Sequence, residues 1–536
     1  MGSRTEELNS VRALRLQLEP SPYFACLCDF LRNSDYYEPS ICRRVGMSGL
    51  SDFLSGDRTR ITLAGESDTL GVLIRLFLVG ESLEAKVLES AIPADVLDAM
   101  KELGLLIQDP THFAPPLAPL SQRGGEIVVG APTKMCATVA LYPVGGLFIA
   151  SDRWTLPQGH LTELAEDFVF SAITPNTSQF IATLPKEPCD ALLDLCSGTG
   201  VAALDAARRG CRATWAVDIT RRSTAMAHFN RLLNGVHNVT IMQGDLYEPL
   251  DDHSFDRIVA HPPYMPVLSR AQTFYDGGVD GEQVTRRIVM GLPRHLRPGG
   301  RFYCMAQGAD REGAPFEQRV RAWLGEAQSE FDILVIVRQD QAPADTALQY
   351  AVKSKGGGGA VRQMRETLRE LGVQNMSYGW LIIQRRDETR PVFTVRRSVG
   401  RISTREEVDW LLNWETALVQ PGFIEKLAEA HPVARPSLEL HTVHRMKGGE
   451  LLPEEFRLTT EYPFSVECRV QPWVGFLLPQ CDGKSSVRDL LDFCKQNNFV
   501  HVETPLPEFV KLLAVFISGG FIEVEEARLP ARAASR

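Results

Sequence analysis

The sequence predicts an α/β protein, a doubly wound sheet flanked by helical, winged-helix-like N- and C-terminal regions. Three observations carry this. Between residues 191 and 337, short β-like runs alternate with helical ones; the first of these strands turns into its helix through Gly198 and Gly200; and apolar residues recur at helical spacing on both sides of this zone. At 536 residues the chain exceeds one domain, and the expected division is 1–122 helical, 123–390 α/β and 391–536 helical. Hydrophobic residues at 44% and charged residues at 23% are ordinary for a globular chain and exclude a largely disordered one. A formal net charge of -10 disfavours a wide basic surface for nucleic acid, leaving room only for a local patch.

In chain order, residues 1–10 are polar and lack a signal peptide's apolar stretch, and no apolar run approaches the ~20 residues of a membrane span. A cytoplasmic protein is the expectation. Residues 70–77, 83–88 and 96–106 read as helices, followed by a strand at 105–108 paired with residues after His112. That rhythm suits a winged helix reading nucleic acid or, alternatively, a helical cap on a catalytic domain. A Pro-rich linker at 110–119 and Gly124-Gly125 precede short strands at 126–129, 136–143 and 147–150. The alternating strands of the sheet fall at 192–195, 213–217, 239–242, 257–260, 301–306 and 331–337. A Gly-rich loop at 353–359, a helix at 361–371 and a last strand at 379–384 should close the domain. Beyond Arg401 the pattern is helical, with a second winged-helix-like rhythm at 487–494, 509–517 and 521–524, then a frayed tail from Ala527. The eleven cysteines are scattered without metal-ligand spacing, so reduced thiols and no metal are expected.

The most informative segment runs from Asp194 through Cys196 to Gly198 and Gly200. A buried strand turning through glycines lets the backbone approach a ligand and aims helix N–H groups at it. Asp218 closes the next strand about twenty residues on, where a carboxylate can accept both ribose hydroxyls of an adenosine. Asp245 and Leu246 follow Gly244 at the third strand end, where the Asp can accept from an adenine amino group. A surface-capping role for Asp218 is the plain alternative.

These strand ends, in this order, resemble the class I S-adenosylmethionine-dependent methyltransferases. The resemblance implies a seven-stranded Rossmann-like sheet and S-adenosylmethionine held by Asp194, Cys196, Gly198, Gly200, Asp218, Asp245 and Leu246, with S-adenosylhomocysteine as product. At the fourth strand end stand His261, Pro262, Pro263 and Tyr264, where amino- and amide-directed members carry Asn/Asp-Pro-Pro-Tyr/Phe. In those members the polar side chain and a following carbonyl accept from the target N–H groups and the ring packs on the planar target. The resemblance makes His261, Pro262 and Tyr264 the catalytic residues. His261 departs from the pattern: its imidazole can accept through one nitrogen and take a departing proton, or it only caps the strand. The segment from Phe274 to Gly281, with Gly277, Gly278 and Asp280, is similar to the release-factor glutamine N-methyltransferases and the rRNA guanine N2-methyltransferases of the small-domain type. This implies an enzyme that methylates a nitrogen of a protein, an RNA or a small molecule. The alternative is a non-catalytic binding protein that keeps the fold to recognise nucleic acid or a polypeptide.

Overall fold

The computed structural model describes residues 15–54, 67–109, 133–156, 159–160, 164–269, 272–400 and 404–525. The linker at 110–125, the strand at 126–129, the segment after His112, the extreme N-terminus and the tail from Ala527 lie outside the described residues. The chain divides into two compact units, Met1–Val284 and Thr285–Arg536.

The first unit opens with helices α1 (Pro22–Asn33), α2 (Glu38–Val45) and α3 (Thr69–Leu73), the last running into a π-helical turn, Ile74–Val79. Strand β1 (Leu83–Glu84), helices α4 (Ala85–Ala91) and α5 (Ala94–Glu102), and strands β2 (Leu106–Gln108) and β3 (Lys134–Ala137) follow. The three strands form one antiparallel sheet in the order β1-β3-β2. The partner of the strand at 105–108 is thus residues 134–137, farther along the chain than the sequence suggests. Pro22 at the first turn of α1 and Ser21, whose hydroxyl accepts from the Tyr23 N–H, explain why that helix begins where it does.

A hairpin of β4 (Ala140–Val144) and β5 (Leu147–Ser151) comes next, then the two-residue strands β6 (Thr155–Leu156) and β7 (Gly159–His160). Helix α6 (Pro175–Thr183) leads into alternating units: β8 (Ala191–Leu195), α7 (Val201–Arg208), β9 (Ala213–Asp218), α8 (Arg221–Leu233), β10 (Val239–Gln243) and β11 (Phe255–Ala260). These four strands are parallel in the order β10-β9-β8-β11, so the winding order of the strands reverses beside β8. Every residue of β8 is buried, as a central strand covered on both faces must be. The N-terminal helices share a core with this sheet's helix layer: Phe24 of α1 meets Phe229 of α8 edge-on at 5.5 Å, and the Tyr36 hydroxyl donates to the Leu141 carbonyl at 2.7 Å.

Helix α9 (Gln283–His295) leads into the second unit: β12 (Leu296–Arg311), α10 (Phe316–Trp323), β13 (Phe331–Gln341), α11 (Pro343–Lys353), α12 (Gly357–Glu370), β14 (Val373–Arg385) and β15 (Thr394–Val399). β14 lies between β12 and β13, antiparallel to both, and β15 runs parallel to β13. The expected loop at 353–359 is instead the end of α11 and the start of α12, because three glycines open a helix whose later residues are good helix formers. Helices α13 (Arg405–Leu418) and α14 (Phe423–Ala428), strand β16 (Val433–Ala434), a meander of β17 (Glu439–Lys447), β18 (Glu450–Thr460) and β19 (Phe464–Val470), and helices α15 (Val474–Leu477), α16 (Val487–Gln496) and α17 (Leu506–Ser518) complete the chain, with β20 (Ile522–Glu523) paired to β16. The region after Arg401 is therefore not wholly helical. β17 is exposed along its whole length, so no alternation of apolar and polar residues marks it.

Candidate functional site

The carboxyl ends of the four parallel strands of the first unit bring the sequence-singled residues to one edge, as a sheet with a reversal of strand order does. β11 is in register with β8, Val259 beside Asp194 and Ala260 beside Leu195, so His261 follows the strand next to the one followed by Cys196. β9 flanks β8 on the other side, with Val217 beside Leu195, and β10 ends with Gln243 beside Asp218.

The turn after β8 is held by its neighbours' backbone and by one carboxylate. Ser197 N–H donates to the Val217 carbonyl at 3.1 Å, and Gly198 N–H donates to Asp218 Oδ2 at 2.9 Å. The other Asp218 oxygen accepts from Thr220 N–H at 3.0 Å. Asp218 is thus more than a surface cap: it closes the glycine turn, and while Oδ1 also accepts from the Thr220 hydroxyl at 3.3 Å, Oδ2 keeps a lone pair for a further donor. Burial raises its carboxyl above the ordinary range, against the pull of those backbone donors.

Gly198 and Gly200 both sit at positive φ, 52° and 76°. Gly200 caps α7, and a Cβ there would lie 3.0 Å from Ala227 of α8. At Gly198 a Cβ meets no protein atom within 4 Å, so its requirement for glycine comes from backbone angle alone. Cys196 and Leu246 hold positive φ as non-glycine residues, 56° and 55°, placing strain at two of the strand ends that matter. Asp194 is 2% exposed and accepts from Ala203 N–H at 3.2 Å; burial pushes it up to about 8. Asp245 is half-buried, its N–H 3.4 Å from Glu248 Oε2, and Gly244 N–H donates to the Asp218 carbonyl at 3.0 Å.

At the fourth strand end, the His261 ring lies 5.3 Å from the Phe180 ring and 6.1 Å from Tyr264, nearly parallel to the latter at 19°. Burial pushes the imidazole down to about 4, so it is neutral at pH 7. Pro262 is buried and fixes the backbone between the two rings. The Asn176 side-chain amide donates to the Tyr264 hydroxyl at 2.7 Å. Asn176 stands in the first turn of α6, which Thr174 caps and from which Phe180 also projects. No motif in the sequence gives either residue a role.

The Gly277–Gly281 segment explains itself by contact. A Cβ on Gly277 would lie 2.8 Å from the Tyr264 backbone, and one on Gly281 2.5 Å from the Tyr264 carbonyl oxygen. Gly277 N–H donates to the Met265 carbonyl at 3.0 Å, and Val267 N–H to the Gly278 carbonyl at 2.9 Å. The glycines are therefore the surface on which the Tyr264 backbone rests. Asn230, fully buried, ties a further layer: its amide nitrogen donates to the carbonyls of Ala150 and Thr199, each at 3.0 Å, and its oxygen accepts from Ala150 N–H at 2.7 Å.

Residues 160–327 match the family model described as the methyltransferase small domain. The match covers less than a third of the chain. The chain is 35% identical over 215 residues to a ribosomal protein uL3 glutamine methyltransferase from Bradyrhizobium diazoefficiens, covering 37% of this chain and 66% of that one. A release factor glutamine methyltransferase from Gloeobacter violaceus is 34% identical over 122 residues, 20% of this chain and 43% of its own. A second uL3 glutamine methyltransferase, from Bordetella pertussis, is 31% identical over 166 residues, 27% and 54% of the two chains. The chain thus spans between two fifths and two thirds of the length of these relatives.

The small domain's loop fits the adenosyl cofactor its family uses. The Ser197 hydroxyl is buried in the turn with no hydrogen-bond partner, and the two acidic side chains nearest the turn, Asp194 and Asp218, suit hydroxyl and amino donors better than a pyrophosphate.

Proposed function

We propose that the protein is an S-adenosylmethionine-dependent N-methyltransferase acting on a polypeptide, the cofactor seated at Asp194, Cys196, Gly198, Gly200, Asp218, Asp245 and Leu246. The observation that carries the reading is the Asp218 carboxylate bound to the Gly198 N–H, which joins the ribose-binding acid and the glycine turn into one unit. The relatives' names, glutamine methyltransferases of a ribosomal protein and of release factors, support a protein nitrogen as acceptor.

The cofactor, when bound, supplies a methyl group on a sulfonium. The chain's own part is alignment. Phe180, His261 and Tyr264 offer flat faces to a planar acceptor, Asn176 fixes the Tyr264 hydroxyl, and the neutral His261 imidazole accepts an N–H from the acceptor nitrogen. A ring pushed down to about 4 is a weak base, so its work is orientation of the nitrogen lone pair more than storage of the departing proton.

Further parts of the reading are also ours. Four parallel strands in the first unit and β12, β14 and β13 in the second support a seven-strand core, with β15 an added strand beside β13. The β1-β3-β2 sheet with α3, α4 and α5 supports a winged-helix module that runs past the expected boundary at 122 to Ala137, and α16, α17 and the β16–β20 pair support a second within 391–536. Among the described residues no helix is long and apolar enough to cross a membrane; we assign the protein to the cytoplasm, where its proposed substrates are. The test is incubation of the full chain with methyl-labelled cofactor and fractionated lysate: label entering protein supports the reading, and label entering only RNA or small molecules overturns the acceptor class.

A further inference from the structure

Cys189 and Cys211 stand at the opposite end of the sheet from the cofactor loop, just before β8 and β9. Their sulfurs are 3.3 Å apart. The strands are parallel and in register, Ala191 beside Ala213, so the same register carried back two residues sets Cys189 beside Cys211. The Arg212 N–H donates to the Cys189 carbonyl at 2.9 Å, extending the pairing to the cysteines themselves. Neighbouring strands lie about 4.8 Å apart, inside the 4.4–6.8 Å span of Cα atoms that a disulfide bridges.

The surroundings hold this geometry. Cys211 is buried, its N–H donating to the Ala206 carbonyl at 3.1 Å and its own carbonyl accepting from the Asn238 side chain at 2.6 Å. Cys189 is half-exposed, which gives a small reagent access. Arg257 anchors the preceding turn through the Pro185 and Glu187 carbonyls at 3.3 and 3.0 Å. The sulfur–sulfur hydrogen bond, with the Arg257 charge beside it, favours one thiolate shared by the pair, and the half-exposed Cys189 is the sulfur that a peroxide reaches.

We propose that Cys189 and Cys211 form an oxidation site, a dithiol that a hydroperoxide converts to an intramolecular disulfide. The thiolate sulfur attacks one peroxide oxygen, the O–O bond breaks and a sulfenic acid forms, the leaving oxygen taking a proton to depart as water or alcohol. The second thiol then attacks the sulfenic sulfur, the S–O bond breaks, and the hydroxyl leaves with the remaining thiol proton as water. Two thiols are oxidised, one peroxide is reduced, and no other reactant is required. The inference is independent of the proposed activity.

The test treats the native full chain with hydrogen peroxide, blocks remaining thiols by alkylation, and maps a non-reducing digest by mass spectrometry. The expected result is a Cys189–Cys211 linked peptide two hydrogens lighter than its parts, reversed by dithiothreitol, with a raised unfolding midpoint. In Cys211→Ser the same treatment should leave a sulfenic acid at Cys189 that dimedone traps, a product absent from the wild type. Recovery of both cysteines alkylated in the wild type, or a dimedone adduct at Cys189 in wild type and variant alike, overturns the proposal. If Cys211→Ser does not fold, Cys189→Ser serves: it should leave Cys211 alkylated after peroxide and lose the rise in midpoint.

Discussion

Burial between Phe180 and Tyr264 changes what His261 can do. A histidine titrating near its ordinary ~6.5 would give a rate that rises with pH through neutrality; with the ring pushed down to about 4, that limb moves below pH 5 and the rate is flat from pH 6 to 8 on this residue's account. The same shift is a stability statement. The unfolded chain binds the proton at ~6.5 and the folded chain only near 4, so His261 contributes stability above pH 6.5 that is lost as pH falls toward 4. His261→Ala should therefore lower kcat, leave cofactor affinity unchanged and flatten the stability profile between pH 4 and 6.5, measured by denaturant titration across that range. Asn176→Ala removes the donor to the Tyr264 hydroxyl. It should reduce kcat/KM for the acceptor about tenfold, the equivalent of ~1.4 kcal/mol for one hydrogen bond, while a cofactor titration stays as in the wild type. Residues at strand ends were legible because the glycines and acids recur at strand spacing. Asn176 and Phe180 were not, since they reach the site from α6, 80 or more residues before Tyr264, through contacts that no local pattern records.

Glycines at turns report different constraints, and the elements they join respond differently. Gly277→Ala puts a methyl group 2.8 Å from the Tyr264 backbone, so the segment from Gly277 to Gly281 must move and take the Tyr264 ring with it. We expect a loss of ~1–3 kcal/mol in stability, as for overpacking against a fixed neighbour, with kcat reduced as well; a Gly277→Ala chain that unfolds at the wild-type denaturant midpoint would show that the contact is not rigid. The buried strands β8 and β9 were plain in the sequence because apolar runs between glycines admit few other readings. The β17–β18 hairpin was hidden for the converse reason: with β17 exposed on both faces, its side chains obey no burial period. Most of α12 is legible as the helix at 361–371; only its three opening glycines read as loop, because glycine disfavours a helix interior.

At the scale of the whole chain, the N-terminal helices are not an appendage. Phe24, Tyr36 and their neighbours share one core with Phe148 and with Met226, Phe229 and Leu233 of α8, whose Ala227 faces Gly200 of the cofactor turn. A fragment covering residues 126–386 keeps every strand-end motif, yet it uncovers that side of α8. It should unfold at a lower temperature than the full chain and bind apolar dyes, checked by calorimetry and dye fluorescence. The three-zone pattern of the sequence hinted at separate parts; the shared core was invisible because it joins residues 100 to 200 positions apart.

In the proposed function, Asp218 and the glycine turn hold S-adenosylmethionine while His261 serves the acceptor. Isothermal titration of the full chain with S-adenosylhomocysteine, beside Asp218→Ala and His261→Ala, tests it most directly. The account predicts one site per chain, weakened by ~1–3 kcal/mol in Asp218→Ala and unchanged in His261→Ala. No binding to the wild type, or equal affinity in Asp218→Ala, would contradict it.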